Sequence, residues 1–273
     1  FQYRPIAGIM ASWSNDDFFG PNGEDWRVPV SEMESRIAEL SERLADAGIE
    51  AALIQNPVDL YYYAGGRQNG AMIVPAANSM ASLGEGGDGA TFFVRRSVNR
   101  AKFEAGGDDM PFQIDNFPSL RNFADKLSSM GLTRAPGLQY GEIPADLCHK
   151  FSSVLSPLGD VADCTGIIHR QREQKSSWEI DMMHDGAIIQ QQMFDAVEST
   201  ISEGVTELEL VAAAEEVSRR HGFGGTVQMR RFPLQCDRAV IVSGRAGGVP
   251  SFFDSAIGGT GPHPMAGMGS GFS

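Results

Sequence analysis

Residues Glu173 to Gly222 read EQKSSWEIDMMHDGAIIQQQMFDAVESTISEGVTELELVAAAEEVSRRHG. Ser176 followed three residues later by Glu179 predicts a capping box, in which the hydroxyl takes an unpaired N–H of the first helical turn and the carboxylate reaches back to the cap. Beyond it, Ile180, Met183, Ala187, Gln190, Phe194, Val197 and Ile201 recur at steps of three and four, so the spacing predicts a long helix with one largely apolar face. Glu203-Gly204 stops that helix, and Thr206 with Glu209 makes a second capping box almost at once. Two caps this close specify a helical hairpin. Its second arm presents Leu210, Ala214 and Val217 to a core and closes on Arg219, Arg220 and His221 before Gly222, with cations at the negative end of the helix dipole.

The run Arg172, Lys175, Ser176, Glu179, Ile180, followed by Glu203-Gly204-Val205-Thr206-Glu207, resembles the opening of the catalytic domain in aminopeptidase P, prolidase and creatinase, the pita-bread family. There an R-x-x-K-x-x-x-E-I helix leads into an x-E-G-x-T-E turn. The upstream sequence fits the same order. Ser31 and Glu34 read as another capping box, and Met33, Ile37, Leu40, Leu44 and Ala47 as a helix ending at Gly48. A strand over Ile49–Ile54, a turn at Asn56-Pro57 and the run Asp59-Leu60-Tyr61-Tyr62-Tyr63-Ala64-Gly65-Gly66 follow. This helix, strand and N-P-x-D-L-x-Y-x-x-G succession is similar to the start of a creatinase-type N-terminal domain.

Strands are expected at Ala71–Val74, Thr91–Val94, Phe112–Ile114, Gly137–Tyr140 and Val161–Cys164, and helices at Ser97–Ala105, Leu120–Met130 and Pro144–Ser156, with Pro144 in the first turn. Alternation of the two predicts an α/β domain around a mostly parallel sheet with helices on both sides. Gly84, Gly86, Gly87 and Gly89 lie in a loop that lacks the strand–G-x-G-x-x-G–helix context of a dinucleotide site. Past Gly222 the pattern turns to β, at Thr226–Phe232, Ala239–Ser243 and Val249–Phe253. The division expected is an irregular aromatic arm over 1–30, a creatinase-like domain over 31–165, and an incomplete α+β pita-bread domain over 166–273.

A net charge of −13 opposes nucleic-acid binding. No apolar run approaches the roughly 20 residues that a bilayer requires. Cys148, Cys164 and Cys236 are odd in number and scattered, which suits reduced thiols. With no basic leader or apolar signal core, these features point to the cytoplasm. The chain starts at Phe1 and stops in a glycine-rich run, and both ends read as cut.

The resemblance implies a metallopeptidase: an aminopeptidase or dipeptidase cleaving Xaa-Pro bonds in a peptide or small amide substrate, with two divalent ions (Mn, Co or Zn) on two aspartates, a histidine and two glutamates, and a homodimer. In the family the two aspartates stand eleven apart. No aspartate pair here has that spacing, and no carboxylate follows Asp254. This chain is therefore expected to bind no metal and to be inactive alone, its ion-binding half lying downstream. His263, in Gly259-Thr260-Gly261-Pro262-His263-Pro264, resembles the family's first active-site histidine and is the single catalytic candidate. An imidazole there can donate to a developing oxyanion or move a proton. His149, His169, His184 and His221 lack metal-ligand spacing and read as surface or helix-end residues. Two alternatives stay open: a metal-independent creatinase-like C–N hydrolase or lyase, and a pita-bread binding protein without catalysis.

Overall fold

A computed structural model of the chain describes residues 27–81, 89–225, 240–249, 258–262 and 269–272. It divides into two compact units, Phe1–Gln174 and Lys175–Ser273.

In the first unit, helix α1 (Val30–Asp46) starts one residue ahead of Ser31, at an N-cap formed by Pro29 with no side-chain cap. The Pro29 carbonyl accepts from Glu32 N at 3.1 Å and Met33 N at 3.2 Å, so Ser31 is already inside the first turn and the expected Ser31–Glu34 box does not form. Strand β1 (Ala51–Ile54) leads into α2 (Pro57–Ala64). Asn56-Pro57 therefore begins a helix instead of making a free-standing turn. The Asn56 side chain caps the amides of Val58 and Asp59, and Pro57 occupies the first turn, where its missing N–H costs nothing. Gly65 closes α2 at φ 67°. The remaining strands are β2 (Gly70–Pro75), β3 (Thr91–Val94), β4 (Gln113–Asn116) and β5 (Gly137–Leu138), connected through helices α3 (Val98–Glu104), α4 (Phe123–Ser129) and α5 (Ala145–Leu155). Pro144 is the N-cap of α5, one position outside its expected place.

The sheet runs in the order β4-β3-β2-β1-β5. It is mixed where a mostly parallel sheet was expected. The outer ladders β3/β4 and β1/β5 are parallel, while β1/β2 and β2/β3 are antiparallel. Chain-order alternation of strands and helices shows where elements lie, whereas strand direction depends on how far each connection travels along the sheet. The strand expected over Val161–Cys164 reduces to one parallel bridge between Leu138 and Asp163.

Strands β1 and β3 are buried at every position, as a sheet covered on both faces requires. Ala51, Leu53, Ala71, Ile73 and Phe93 pack on one face with Phe123 and Leu127 of α4 and Phe151 and Leu155 of α5. The ring of Phe123 lies 5.9 Å from that of Phe93, 6.0 Å from Phe151 and 5.2 Å from Phe117, an aromatic cluster with both edge-on and stacked pairs. On the other face lie the alternate residues of the strands, with α1 against β1 and β2 through Met33, Leu40 and Leu44. Helix α6 (Thr165–Glu173) also packs on α1, so it belongs to this unit. The boundary expected near Thr165 falls at the start of α6, whereas the division between compact units follows that helix.

In the second unit, α7 (Ser177–Thr200) and α8 (Glu207–Arg220) form the hairpin read from the sequence, and both capping boxes are present as predicted. Leu210 and Ala214 are buried. Ile180, Met183, Phe194 and Ile201 of the expected apolar face of α7 remain exposed. One neighbouring helix covers one stripe of α7, and the strands expected over Thr226–Phe232 lie outside the described residues. Val240–Ser243 form no strand ladder and lead into the short helix α9 (Gly244–Gly247).

Replacing Phe123 with Ala is expected to lower the stability of the first unit by about 3–5 kcal/mol, because a fully buried ring leaves a cavity among three other rings. The denaturant midpoint followed by far-UV circular dichroism measures this; a change below about 1 kcal/mol contradicts the packing.

Candidate functional site

Two polar junctions hold the residues that carry the sequence motifs. The first is built on Asp59, which the Asn56-Pro57 start of α2 places in the first helical turn with only 1% of its surface exposed. A buried carboxylate needs partners for both oxygens. Arg172 Nη1 on α6 donates to Asp59 Oδ1 at 2.5 Å, and Gln139 Nε2, just after β5, donates to Oδ2 at 2.6 Å. The Gln139 amide oxygen in turn accepts from the backbone N–H groups of Gln55 at 2.8 Å and Asn56 at 3.1 Å. Asn56 Nδ2 donates to Glu142 Oε2 at 3.1 Å, and Glu142 Oε1 meets His169 Nε2 of α6 at 2.6 Å. His169, read from the sequence as a surface or helix-end residue, is therefore a part-buried member of this network.

Alongside it, the Tyr63 hydroxyl donates to Gln171 Oε1 at 2.7 Å, and Gln171 Nε2 donates to the Arg36 carbonyl at 2.8 Å. The Arg36 guanidinium lies 4.0 Å from the centre of the Tyr62 ring and donates to the Tyr62 carbonyl at 2.9 Å. Residues 36, 62, 63, 171 and 172 thus tie α1, α2 and α6 together. Burial pushes the Tyr63 phenol well above its usual 10.0, with the neighbouring charges of Tyr62 and Asp59 adding to the effect. Gly66, next to this group, leaves room for Glu104: a Cβ there would stand 2.7 Å from Glu104 Oε2.

The second junction is built on Glu207, the last residue of the Glu203–Glu207 run, at the start of α8 and 1% exposed. Its Oε1 accepts from Ser243 N at 2.6 Å and its Oε2 from Gly271 N at 2.8 Å. Leu208 N donates to the Gly271 carbonyl at 3.1 Å, closing a ring of backbone contacts. Gly261 N donates to Gly269 O at 2.9 Å and Gly269 N to Gly258 O at 3.1 Å. Glycine is required for this approach, since a Cβ on Gly259 would meet Gly269 O at 2.4 Å. His263 itself, along with Cys236, lies outside the described residues.

The oxygens of Asp59 and Glu207 are each engaged by donors of the fold. Among the described residues no group of three or more His, Cys, Asp or Glu side chains could hold a metal ion. A depression of about 390 Å³ along α5 brings Cys148 and His149 to Tyr140, Ile143 and Ser152. Burial raises the Cys148 thiol and Cys164 is pushed up to about 12 by the same cause, so neither is a thiolate at neutral pH. No helix among the described residues is long and apolar enough to cross a membrane.

Asn56, Asp59, Arg172 and Glu207 are motif residues in the sequence, with Asn56 in an expected turn, whereas no motif contains Gln139, Glu142 or Gln171. One signal was available: an aspartate immediately ahead of the apolar and aromatic run Leu60-Tyr61-Tyr62-Tyr63, whose burial obliges a partner. Nothing local marks Gln139 or Gln171.

The fold and the first junction define a creatinase-type N-terminal domain. The Creatinase/Prolidase N-terminal domain model matches residues 36–174, and the chain belongs to that family. Among solved structures, the Xaa-Pro dipeptidase from Bacillus anthracis matches with a TM-score of 0.58 and 20% identity over 70% of this chain and 50% of that one. The dipeptidase PepE from Mycobacterium ulcerans gives 0.58 and 18% over 72% and 52%, and the X-Pro aminopeptidase from Thermotoga maritima MSB8 gives 0.52 and 20% over 67% and 49%. At these identities the likeness establishes the fold: a creatinase-type domain followed by the first part of a pita-bread domain. The chain spans about half the length of the structures it matches. No curated protein matches it.

Replacing Arg172 with Met strands the Asp59 carboxylate and is expected to cost about 3–5 kcal/mol, whereas the double replacement Asp59→Leu with Arg172→Met recovers most of that loss. Urea midpoints for the two variants test this; equal destabilisation of both contradicts the pairing. An alkaline limit follows from Tyr63. Its folded pKa exceeds the unfolded 10.0, so its contribution to stability is complete below that pH and is lost as pH rises above it through the raised folded value. Tyr63→Phe is expected to flatten the fall in unfolding midpoint above about pH 10, beyond a uniform loss of about 1 kcal/mol from its hydrogen bond to Gln171.

Proposed function

We propose that the intact protein is a metal-dependent hydrolase of the Xaa-Pro aminopeptidase or dipeptidase kind, acting in the cytoplasm as a homodimer on a peptide or small amide. The observation that carries this reading is the Asp59–Arg172 junction, in which the N-P-x-D-L-x-Y and R-x-x-K motifs meet within a domain of the creatinase/prolidase family. Its support in chemistry comes from the matched structures, which bear the names Xaa-Pro dipeptidase, prolidase and X-Pro aminopeptidase.

Among the described residues no cluster of carboxylates and imidazoles fits a pair of divalent ions. His263 is the residue of this chain proposed to touch substrate, as a donor to the oxyanion that forms on the scissile carbonyl. Glu207, by tying Gly271 to Ser243 and the start of α8, positions one end of the glycine segment that carries it.

The test is release of proline from Xaa-Pro dipeptides by the intact protein loaded with manganese or cobalt, measured by chromatography. Hydrolysis is expected, with His263→Ala lowering kcat by about 10²–10³-fold, the usual loss for a single oxyanion donor. No turnover with any divalent ion would overturn the hydrolase assignment. Turnover that survives complete chelation would instead favour metal-independent C–N chemistry.

A further inference from the structure

The sheet of the first unit ends on β5 at one side and on β4 at the other. At the β5 edge the chain covers itself: Leu138 N donates to the Ala162 carbonyl at 2.9 Å and Cys164 N to the Leu138 carbonyl at 3.0 Å. No strand among the described residues pairs with the outer side of β4, where Gln113, Asp115 and Asn116 are exposed. Such an edge offers a row of N–H and C=O groups to any other strand. The register shows which groups form the row. Gln113 N donates to the Ala90 carbonyl at 3.0 Å and Phe117 N to the Val94 carbonyl at 2.8 Å, so the odd-numbered residues of β4 turn their backbone groups toward β3. Ile114 and Asn116 turn theirs outward.

One of these two outward donors is already taken. Asp115 Oδ1 accepts from Asn116 N at 2.8 Å, while Asp115 Oδ2 accepts from Lys126 Nζ of α4 at 3.2 Å. Lys126 Nζ lies 5.9 Å from the centre of the Phe93 ring, and Phe93 is the residue of β3 that pairs with Asp115. A cation on the neighbouring helix thus holds the carboxylate back over its own strand. Asp115 is also the one charge between Asp109 and Arg121. Without it, Phe112-Gln113-Ile114-Asp115-Asn116-Phe117 would carry two aromatic rings, an isoleucine and no charge, a composition suited to pairing with itself. Two copies of β4 that used both outward residues would run antiparallel about a twofold axis, with Ile114 of one opposite Asn116 of the other. Asp115 would then stand opposite Asp115 of the second copy, with about 4.5 Å between Cα atoms, and like charges so placed oppose association.

We infer that Asp115 is a built-in cap on the β4 edge: it takes the outward N–H of Asn116, sets a charge at the centre of the strand, and so keeps the sheet from extending onto a second copy of this chain. Lys126 is the residue that holds the cap in place. The role is independent of the hydrolase reading.

Asp115→Val removes both the acceptor and the charge and leaves a residue suited to a strand. Sedimentation velocity over a concentration series compares it with the parent chain, so that association through any other surface is common to both. Self-association is expected to strengthen about fivefold or more in the variant, with slower hydrogen exchange at the Ile114 and Asn116 amides as concentration rises. Adding Asn116→Pro to Asp115→Val is expected to restore the parent's behaviour, because proline lacks the outward N–H while the ladder to β3 does not use that amide. Circular dichroism checks the fold of each variant. The parent itself supplies a reading that needs no substitution: its Asn116 amide is expected to exchange about threefold or more below the intrinsic rate for its sequence. Unchanged association of Asp115→Val overturns the proposal, as does association that survives the added proline or an Asn116 amide that exchanges at its intrinsic rate in the parent.

Discussion

A carboxylate that is 1% exposed would be among the most costly groups in the first unit if it stood alone. Asp59 is accommodated because α6 brings Arg172 to one oxygen and the end of β5 brings Gln139 to the other. Neither α2, α6 nor the β5 end can shift without exposing or orphaning a charge, so this pair sets where the chain leaves the domain. Gln139 extends the constraint, since its other amide atom holds the backbone between β1 and α2.

The apolar packing has a different logic. The cluster around Phe123 fills the face of the sheet toward α4 and α5 with aromatic and aliphatic side chains, whereas on the opposite face Tyr63, Gln171 and Arg36 fasten the helices through hydrogen bonds. One face supplies burial, and the other determines which arrangement of helices is compatible with it. In the second unit Glu207 plays a part like that of Asp59, a buried carboxylate satisfied by backbone N–H groups from Ser243 and Gly271, which fits a glycine-rich partner with few side chains to offer.

The family resemblance rested on short motifs, and the structure shows what their residues hold together in this chain. Asn56 and Pro57 start a helix, Asp59 and Arg172 fasten it, Gly66 makes room for Glu104, and Glu207 gathers two distant segments. Asn56, Pro57, Asp59, Arg172 and Glu207 stand in the quoted motifs, whereas Gly66 lies one residue past the motif glycine, Gly65. The error over His169 had a local origin: a lone histidine without ligand spacing gives no hint that Glu142, far upstream, will stand 2.6 Å away.

By itself the sequence determined the local events: the two capping boxes of the α7–α8 hairpin, the positions of most strands and helices, and a charge balance unfavourable to nucleic acid. These depend on contacts within a few residues or on totals, both of which can be read from the order of amino acids. Tertiary structure decided the strand directions of the mixed sheet, the inclusion of α6 in the first unit, and the partners of Asp59, Glu142 and Glu207. Those outcomes depend on which segments meet across the fold, and a buried charge announces only that it needs a partner, not which of the distant donors will reach it.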